Sequence, residues 1–225
     1  MKKRKLLIVL SALIFIFACL CSFICSIIKT NEIANTYGYV TMVETMYYQN
    51  KSGWWVFFAF LPILILFIVL AYKHKDRIVL IVSSVLAIIL IFMGFIFLKN
   101  TKNYSTSTEY LTQIENDIEY DFPDDTTILI DKTASGMTTN DNINVKFDGI
   151  IRIPSTEQAK NDLANNISWQ NSVDDTIQQY IPEFHYSQIS DLGKYYYRID
   201  ENNVMTFLSY CVEYDLIYFT VVEIL

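Results

Sequence analysis

Three long apolar stretches of this 225-residue chain contain no charged residue, no histidine and no side-chain amide: residues 6–28, 54–72 and 78–98. Ion and proton pathways through a membrane usually need such groups at membrane depth, where they are costly and therefore functional. Their absence argues against a transporter or a channel. It favours a membrane anchor, or a subunit that packs against the helices of a partner.

Basic residues are scarce in the second half of the chain. Residues 99–225 hold eight Lys/Arg against 21 Asp/Glu, a net charge of −13, whereas residues 1–98 hold nine against three, a net of +6. The change of sign indicates a domain boundary near residue 98. An acidic domain argues against nucleic acid as a partner, because phosphates are bound by Lys and Arg. It gives no reason to expect adhesion to anionic lipid either.

Cysteine and histidine are also few, with four and two in the whole chain. Cys19, Cys21 and Cys25 lack the C-x-x-C spacing of a redox pair, so we interpret them as small apolar residues. Cys211 has no cysteine near it in the sequence, and His185 is the one histidine of the acidic half. A zinc site is not expected from so few ligands, and no cofactor is predicted.

The apolar stretches predict three transmembrane helices. Residues 6–28 as a helix span roughly 34 Å, enough to cross a hydrocarbon core of ~30 Å, and the two other stretches are long enough as well. Only a helix satisfies its own backbone polar groups in lipid. A signal peptide is the alternative for residues 1–28, but the apolar run is longer than the ~7–15 residues usual there.

The flanking charges predict the orientation of the helices. One side carries seven basic residues and the other four: Lys2, Lys3, Arg4, Lys5, Lys73, Lys75 and Arg77 against Lys29, Lys51, Lys99 and Lys102. The more basic side is expected to be cytoplasmic. We therefore predict a multi-pass protein of the cell membrane, with its N-terminus in the cytoplasm and its C-terminal domain outside.

Small side chains recur at helical spacing on two of these helices. Ala18, Ser22 and Ser26 lie four residues apart on the first, and Ser83 and Ala87 do so on the third. Such stripes let helices approach closely and form a candidate helix-packing face. Small residues are common in membrane helices, so the spacing is equally compatible with composition alone.

The remaining segments predict an outer loop (29–53), a polar tether (99–107) and an α+β domain (108–225). Within the loop, residues 37–48 have helical periodicity, and the sequence leaves open whether they lie in the membrane interface or pack on the domain. The domain pattern is α-β-β-α-β-β-β. It predicts an antiparallel sheet with helices packed on it.

Aromatic residues are frequent in the last three predicted strands. Strand alternation turns Tyr196 and Arg198 away from the core, and with Tyr214 and Tyr218 they form a candidate interaction surface. Tyrosine is also a good strand former, so a purely structural role is the alternative.

Carboxylates cluster at the end of the first helix of the domain: Asp117, Glu119, Asp121, Asp124 and Asp125. A calcium site would use such oxygens. The EF-hand pattern fails here, because Phe122 stands where glycine is required and Ile128 where the closing glutamate belongs. We interpret the cluster as a solvated helix end.

These features favour a non-catalytic, membrane-anchored module whose outer domain binds a ligand, an envelope component or a partner protein. The first alternative is an accessory subunit of a membrane complex. The weaker alternative is an envelope enzyme that uses His185 with nearby carboxylates. The bilayer is the partner that the sequence itself implies.

The orientation can be tested with single cysteines at Ser172 and Lys75, in a chain whose own cysteines are replaced. A membrane-impermeant thiol reagent added to intact cells should label position 172. Position 75 should react only after the membrane is opened, because the basic turn is held in the cytoplasm. The reverse labelling pattern would contradict the predicted orientation.

Overall fold

The chain divides into two compact units. The computed structural model describes residues 2–133, 135–136, 138–139, 143–181 and 193–225. A helical unit comprises Met1–Asn35 and Val40–Lys102, and a C-terminal unit comprises Thr36–Tyr39 and Asn103–Leu225. The four residues after Asn35 therefore belong, by their contacts, to the C-terminal unit.

The helical unit is built from three long helices: α1 (Lys2–Tyr37), α2 (Met42–Lys73) and α3 (Arg77–Thr101). In the described part of the chain, these are the helices long and apolar enough to cross a membrane. Most of their large apolar side chains are exposed within the isolated chain, as expected where lipid is the solvent. The protein is a membrane protein, by the length and composition of these helices.

A capping box starts α2. The Thr41 hydroxyl accepts a hydrogen bond from the backbone N–H of Glu44 (3.1 Å), and the Glu44 carboxylate accepts one from the backbone N–H of Thr41 (2.8 Å). This cap makes the helix begin at Met42, well before its apolar run. The helical periodicity of residues 37–48 therefore belongs mainly to the first turns of α2, not to a separate interfacial helix.

Small side chains let the three helices pack closely. Ala18, Leu64, Ala87 and Leu90 are buried together with Phe57 in the core of this unit. In a separate contact, the hydroxyl groups of Ser11 and Ser83 lie 3.0 Å apart. Such close packing is how helices associate in lipid, where burial of apolar surface gives little driving force.

The C-terminal unit is an antiparallel sheet with short helices. Its described strands are β1 (Tyr104–Ser105), β2 (Thr127–Asp131), β3 (Thr138–Thr139), β4 (Ile143–Arg152), β5 (Gly193–Ile199), β6 (Val204–Cys211) and β7 (Leu216–Ile224). Its helices are α4 (Thr108–Ile118), α5 (Glu157–Asn166) and α6 (Asp175–Gln178), with a 3₁₀ turn at Val212–Tyr214. The strand order is β1-β2-β4-β7-β6-β5, and β3 pairs with β4.

Both faces of this sheet are covered. On the first face, α4 and α5 bury Ile114 and Leu163 against a core that includes Ile151, Leu208 and Phe219. A second buried cluster is formed by strand residues, by α6 and by Ile181 after it. Its buried members are Val145, Ile177, Ile181, Tyr195, Met205, Phe207 and Val222. Burial on both sides explains why β7 is apolar at nearly every position from Leu216 to Val222 instead of alternating.

The predicted fold class is confirmed, with local differences. Three long apolar helices are followed by an antiparallel sheet with helices packed on it. Within the predicted tether, Tyr104 and Ser105 form an edge strand opposite Asp131 and Ile130. A two-residue strand is too short for an apolar alternation to reveal it in a sequence.

Gly149 is required where β2 and β4 pair. A Cβ atom built on this residue would lie 2.2 Å from the carbonyl oxygen of Leu129, a backbone atom of the neighbouring strand. We expect Gly149→Ala to force the two strands apart and to lower the free energy of unfolding of the C-terminal unit by about 2–3 kcal/mol. Urea unfolding of the detergent-solubilised full chain measures the change.

Val212→Ala is the matched control, because this side chain is 43% exposed. Its effect should stay within about 0.5 kcal/mol. Fluorescence of Trp169 reports on the C-terminal unit alone if Trp54 and Trp55 are replaced by phenylalanine in every variant. Equal stability of Gly149→Ala and Val212→Ala would contradict the strand geometry.

Candidate functional site

Arg198 closes the C-terminal end of α4. Glu119, which caps the helix after Ile118, adopts the left-handed conformation (φ 59°, ψ 39°). Arg198, in β5, donates from Nη1 to the backbone carbonyl of Asp117 (3.0 Å) and forms an ion pair with Glu119 (Nη1–Oε1 2.8 Å). A cation is favoured at this end of a helix, where carbonyl groups lack intrahelical partners. The hydrogen bond with Glu119 raises the pKa of Arg198.

A small open pocket of about 110 Å³ lies beside this arginine. The residues that line it define the Arg198 pocket: Asn116, Asp117, Arg198, Asp200, Val204 and Thr206. They come from the last turn of α4 and from the hairpin between β5 and β6. One apolar side chain and five polar ones make this a site for a charged or hydrogen-bonding group.

Both carboxylates of the pocket are oriented by hydrogen bonds. Asp117 Oδ2 accepts from the Thr206 hydroxyl (2.8 Å). Asp200 Oδ1 accepts from the backbone N–H groups of Val204 (2.7 Å) and Asn202 (2.8 Å), which shapes the β5–β6 turn. The bond from Val204 is the main reason that the pKa of Asp200 is lowered. The hydrogen bonds therefore hold both carboxylates in place.

The Arg198 guanidinium retains hydrogen-bonding capacity. An arginine has five N–H donors, and only Nη1 bonds to residues in the described part of the chain. The side chain is 42% exposed and lines the pocket, which leaves its other N–H groups as candidate donors to a ligand. A planar fork of this kind suits a carboxylate or a phosphate.

The four residues of the predicted interaction surface lie in two different places. Tyr196 packs partly buried against the core of the first sheet face, and Arg198 lines the pocket. Tyr218 is 8% exposed, and Tyr214 stacks on Tyr39 with ring centroids 5.0 Å apart. The structure therefore does not bring the four together into one exposed surface, and Arg198 alone lines the pocket.

We call residues 36–39 the strap. Within the C-terminal unit, the strap packs on the end of β4 through contacts with Arg152. This arginine is 3% exposed at the end of β4. It donates from Nη2 to the carbonyl of Tyr39 (2.8 Å) and from Nη1 to the carbonyl of Tyr214 (2.9 Å), and its guanidinium lies 4.9 Å from the ring centroid of Tyr37. Hydrogen bonds and a cation–π contact thus hold the charge in a buried position.

Tyr218 belongs to the same contact. Burial raises the pKa of Tyr218, and the nearby Tyr39 hydroxyl, to which it hydrogen-bonds, raises it further. Part of the predicted outer loop therefore packs on the domain, an arrangement that the sequence left open.

The small residues of the predicted packing face are all buried in the helical unit: Ala18, Ser22, Ser26, Ser83 and Ala87. They pack the helices of this chain against one another. A further contact at this stripe is the Ser52 hydroxyl, which lies 3.3 Å from the carbonyl of Ser22.

The other candidates give no second site. Among the described residues, no group of three or more His, Cys, Asp or Glu side chains could hold a metal ion. Two members of the acidic cluster, Asp117 and Glu119, bond to Thr206 and Arg198. Burial raises the pKa of the Cys211 thiol, which therefore stays protonated at neutral pH. The interpretation based on His185 lies outside the described residues.

No sequence pattern identifies Asn116, Asp200 and Thr206 as pocket residues, because their proximity arises from the tertiary fold. Arg152 was also missed, although a signal exists. It is the one charged residue of the apolar run 149–153, and a charge in such a run is buried only with partners.

Comparisons of the chain with protein-family models, with curated proteins and with solved structures found no match. The function of the pocket is therefore inferred from its own geometry.

Replacing Arg152 should release the strap. Arg152→Met keeps much of the side-chain volume but leaves the carbonyls of Tyr39 and Tyr214 without this donor. We expect a loss of about 2–4 kcal/mol in the free energy of unfolding of the C-terminal unit. Backbone amides of the strap should exchange with deuterium at least about tenfold faster, measured by mass spectrometry on the full chain.

Arg198→Met is the matched control, since its ion pair is exposed and should cost less than about 1 kcal/mol. Exchange in the strap should stay unchanged in this control. If both variants release the strap to the same extent, or neither does, Arg152 does not hold it.

Proposed function

We propose that this protein is a membrane-anchored binding module whose C-terminal unit lies outside the cytoplasmic membrane and recognises its ligand at the Arg198 pocket. The helical unit supplies the anchor, in agreement with its three apolar helices. The basic residues at the start of α1 and around the turn that joins α2 to α3 support the cytoplasmic side for the N-terminus.

The main support for binding at this pocket is the guanidinium of Arg198. It is held in position by the end of α4, opens on a pocket lined by oriented carboxylates, and keeps donors for a ligand. Held charges with spare bonding capacity at a concave surface favour recognition over a purely structural role.

The pocket favours binding over the two alternatives. An accessory subunit would use the small-residue stripes to pack against partner helices, but those residues are buried between helices of this chain. An enzyme that depends on His185 gains no support from the described residues that line the pocket, whose charged members are one arginine and two aspartates. Neither alternative uses the Arg198 pocket.

Site-specific photo-crosslinking in intact cells tests the proposal. A photoreactive amino acid at Asn116, an exposed residue that lines the pocket, should give a covalent adduct visible in the intact mass of the purified chain. The same probe at Glu157, exposed in α5 and outside the pocket lining, is the control.

Arg198→Gln combined with the probe at Asn116 should reduce the adduct at least tenfold, because the charged fork is lost. Equal adducts at both probe positions, an adduct unaffected by Arg198→Gln, or no adduct at Asn116 would each contradict binding at this pocket.

A further inference from the structure

Charged groups of both signs lie close together at the Arg198 pocket. Asp117 and Asp200 line it with Arg198, and Glu119 is paired with the same arginine. Lys146 is close enough to contribute to the lowered pKa of Asp200. The lining residues themselves carry two carboxylates and one guanidinium, which leaves a small negative balance with a positive fork at one side.

A ligand with a single charge is poorly matched to this arrangement. An anion can bond to Arg198 but meets Asp117, Asp200 and a domain whose net charge over residues 99–225 is −13. A cation can approach either aspartate but meets the exposed guanidinium. A molecule that carries an anionic and a cationic group a few bonds apart can satisfy both sides at once.

The hydrogen-bonding groups fit the same ligand. The Nε and Nη2 donors of Arg198 can bind a carboxylate in the two-pronged geometry that arginine favours. The carboxylates of Asp117 and Asp200 retain lone pairs beyond the bonds they accept internally and can accept from an ammonium group. Asn116 adds a side-chain amide, which can both donate and accept.

The size of the pocket restricts the ligand further. A volume of about 110 Å³ accommodates a compact molecule, and Val204 is the one apolar side chain among the lining residues. Little space and little apolar surface remain for a large side chain on the ligand.

We propose that the Arg198 pocket binds a compact zwitterion of the α-amino acid class, with its carboxylate on Arg198 and its ammonium group between Asp117 and Asp200. This rests on the proposed function, because it names the ligand of the same site. A zwitterionic phosphoethanolamine headgroup shares the chemistry of opposite charges close together, so the test separates the two sources.

The test uses the full chain in nanodiscs of phosphatidylglycerol, which contain no zwitterionic lipid to compete. Saturation-transfer NMR titrations compare glycine and alanine with N-acetylglycine, which lacks the ammonium group, and with glycinamide, which lacks the carboxylate. Glycine or alanine should bind saturably, and both single-charge analogues should bind at least tenfold more weakly.

Two variants connect the binding to the pocket. Arg198→Gln should weaken glycine binding at least tenfold, and Arg198→Lys should retain part of it, because the charge remains but the fork is lost. Glu157→Gln, at an exposed position outside the pocket lining, should bind glycine like the native chain. Circular dichroism of each variant verifies that it is folded, and an unchanged affinity in folded Arg198→Gln would overturn the assignment.

The remaining outcomes separate this inference from the proposed function. If N-acetylglycine or glycinamide binds as tightly as glycine, the pocket does not require both charges and the assignment is overturned. If O-phosphoethanolamine binds at least tenfold more tightly than glycine and alanine, the pocket takes a lipid headgroup. If no probe binds while the Asn116 adduct forms and depends on Arg198, the ligand class is wrong but binding at the pocket stands.

Discussion

The antiparallel pairing of β4 with β7 is the constraint on which the C-terminal unit depends, because every other described strand is joined to this pair directly or through one neighbour. Both strands are buried on both faces, so their apolar side chains contribute to two separate cores. The pairing extends to Arg152, which lies opposite Leu216, and so places a buried charge at the end of the sheet. Gly149 lies within the same strand, where it lets β2 approach closely.

The sheet positions two arginines, Arg152 and Arg198, that have different roles. Arg152 is almost fully buried, and its charge is balanced by backbone carbonyls and the ring of Tyr37, which is the condition for keeping a cation inside a protein. Arg198 lies on the edge strand β5 and keeps part of its guanidinium in solvent. The first ties the strap to the C-terminal unit, and the second remains open to a ligand. Burial and the number of satisfied donors distinguish the roles.

The helical unit follows a different physical rule. Lipid cannot hydrogen-bond to a backbone, so the apolar segments are helical whatever else they do. Packing between them depends on close approach, which Ala18, Ala87 and the Ser11–Ser83 contact provide. Surfaces that look available for partner helices in the sequence are thus used within the chain. The C-terminal unit, by contrast, offers the Arg198 pocket at its described surface.

The sequence by itself determined the three apolar helices, the acidic α+β domain and the order of its main elements, because periodicity and charge are local properties of a chain. It also singled out Arg198 by strand alternation, and the acidic cluster that contains Asp117. Only the tertiary structure decided that Arg198 meets the end of α4, that Tyr218 is buried, and that the strap packs on Arg152. The cited hydrogen bonds join residues 62 to 113 positions apart, with 81 between Arg198 and Asp117, and a local pattern carries no information about such distances.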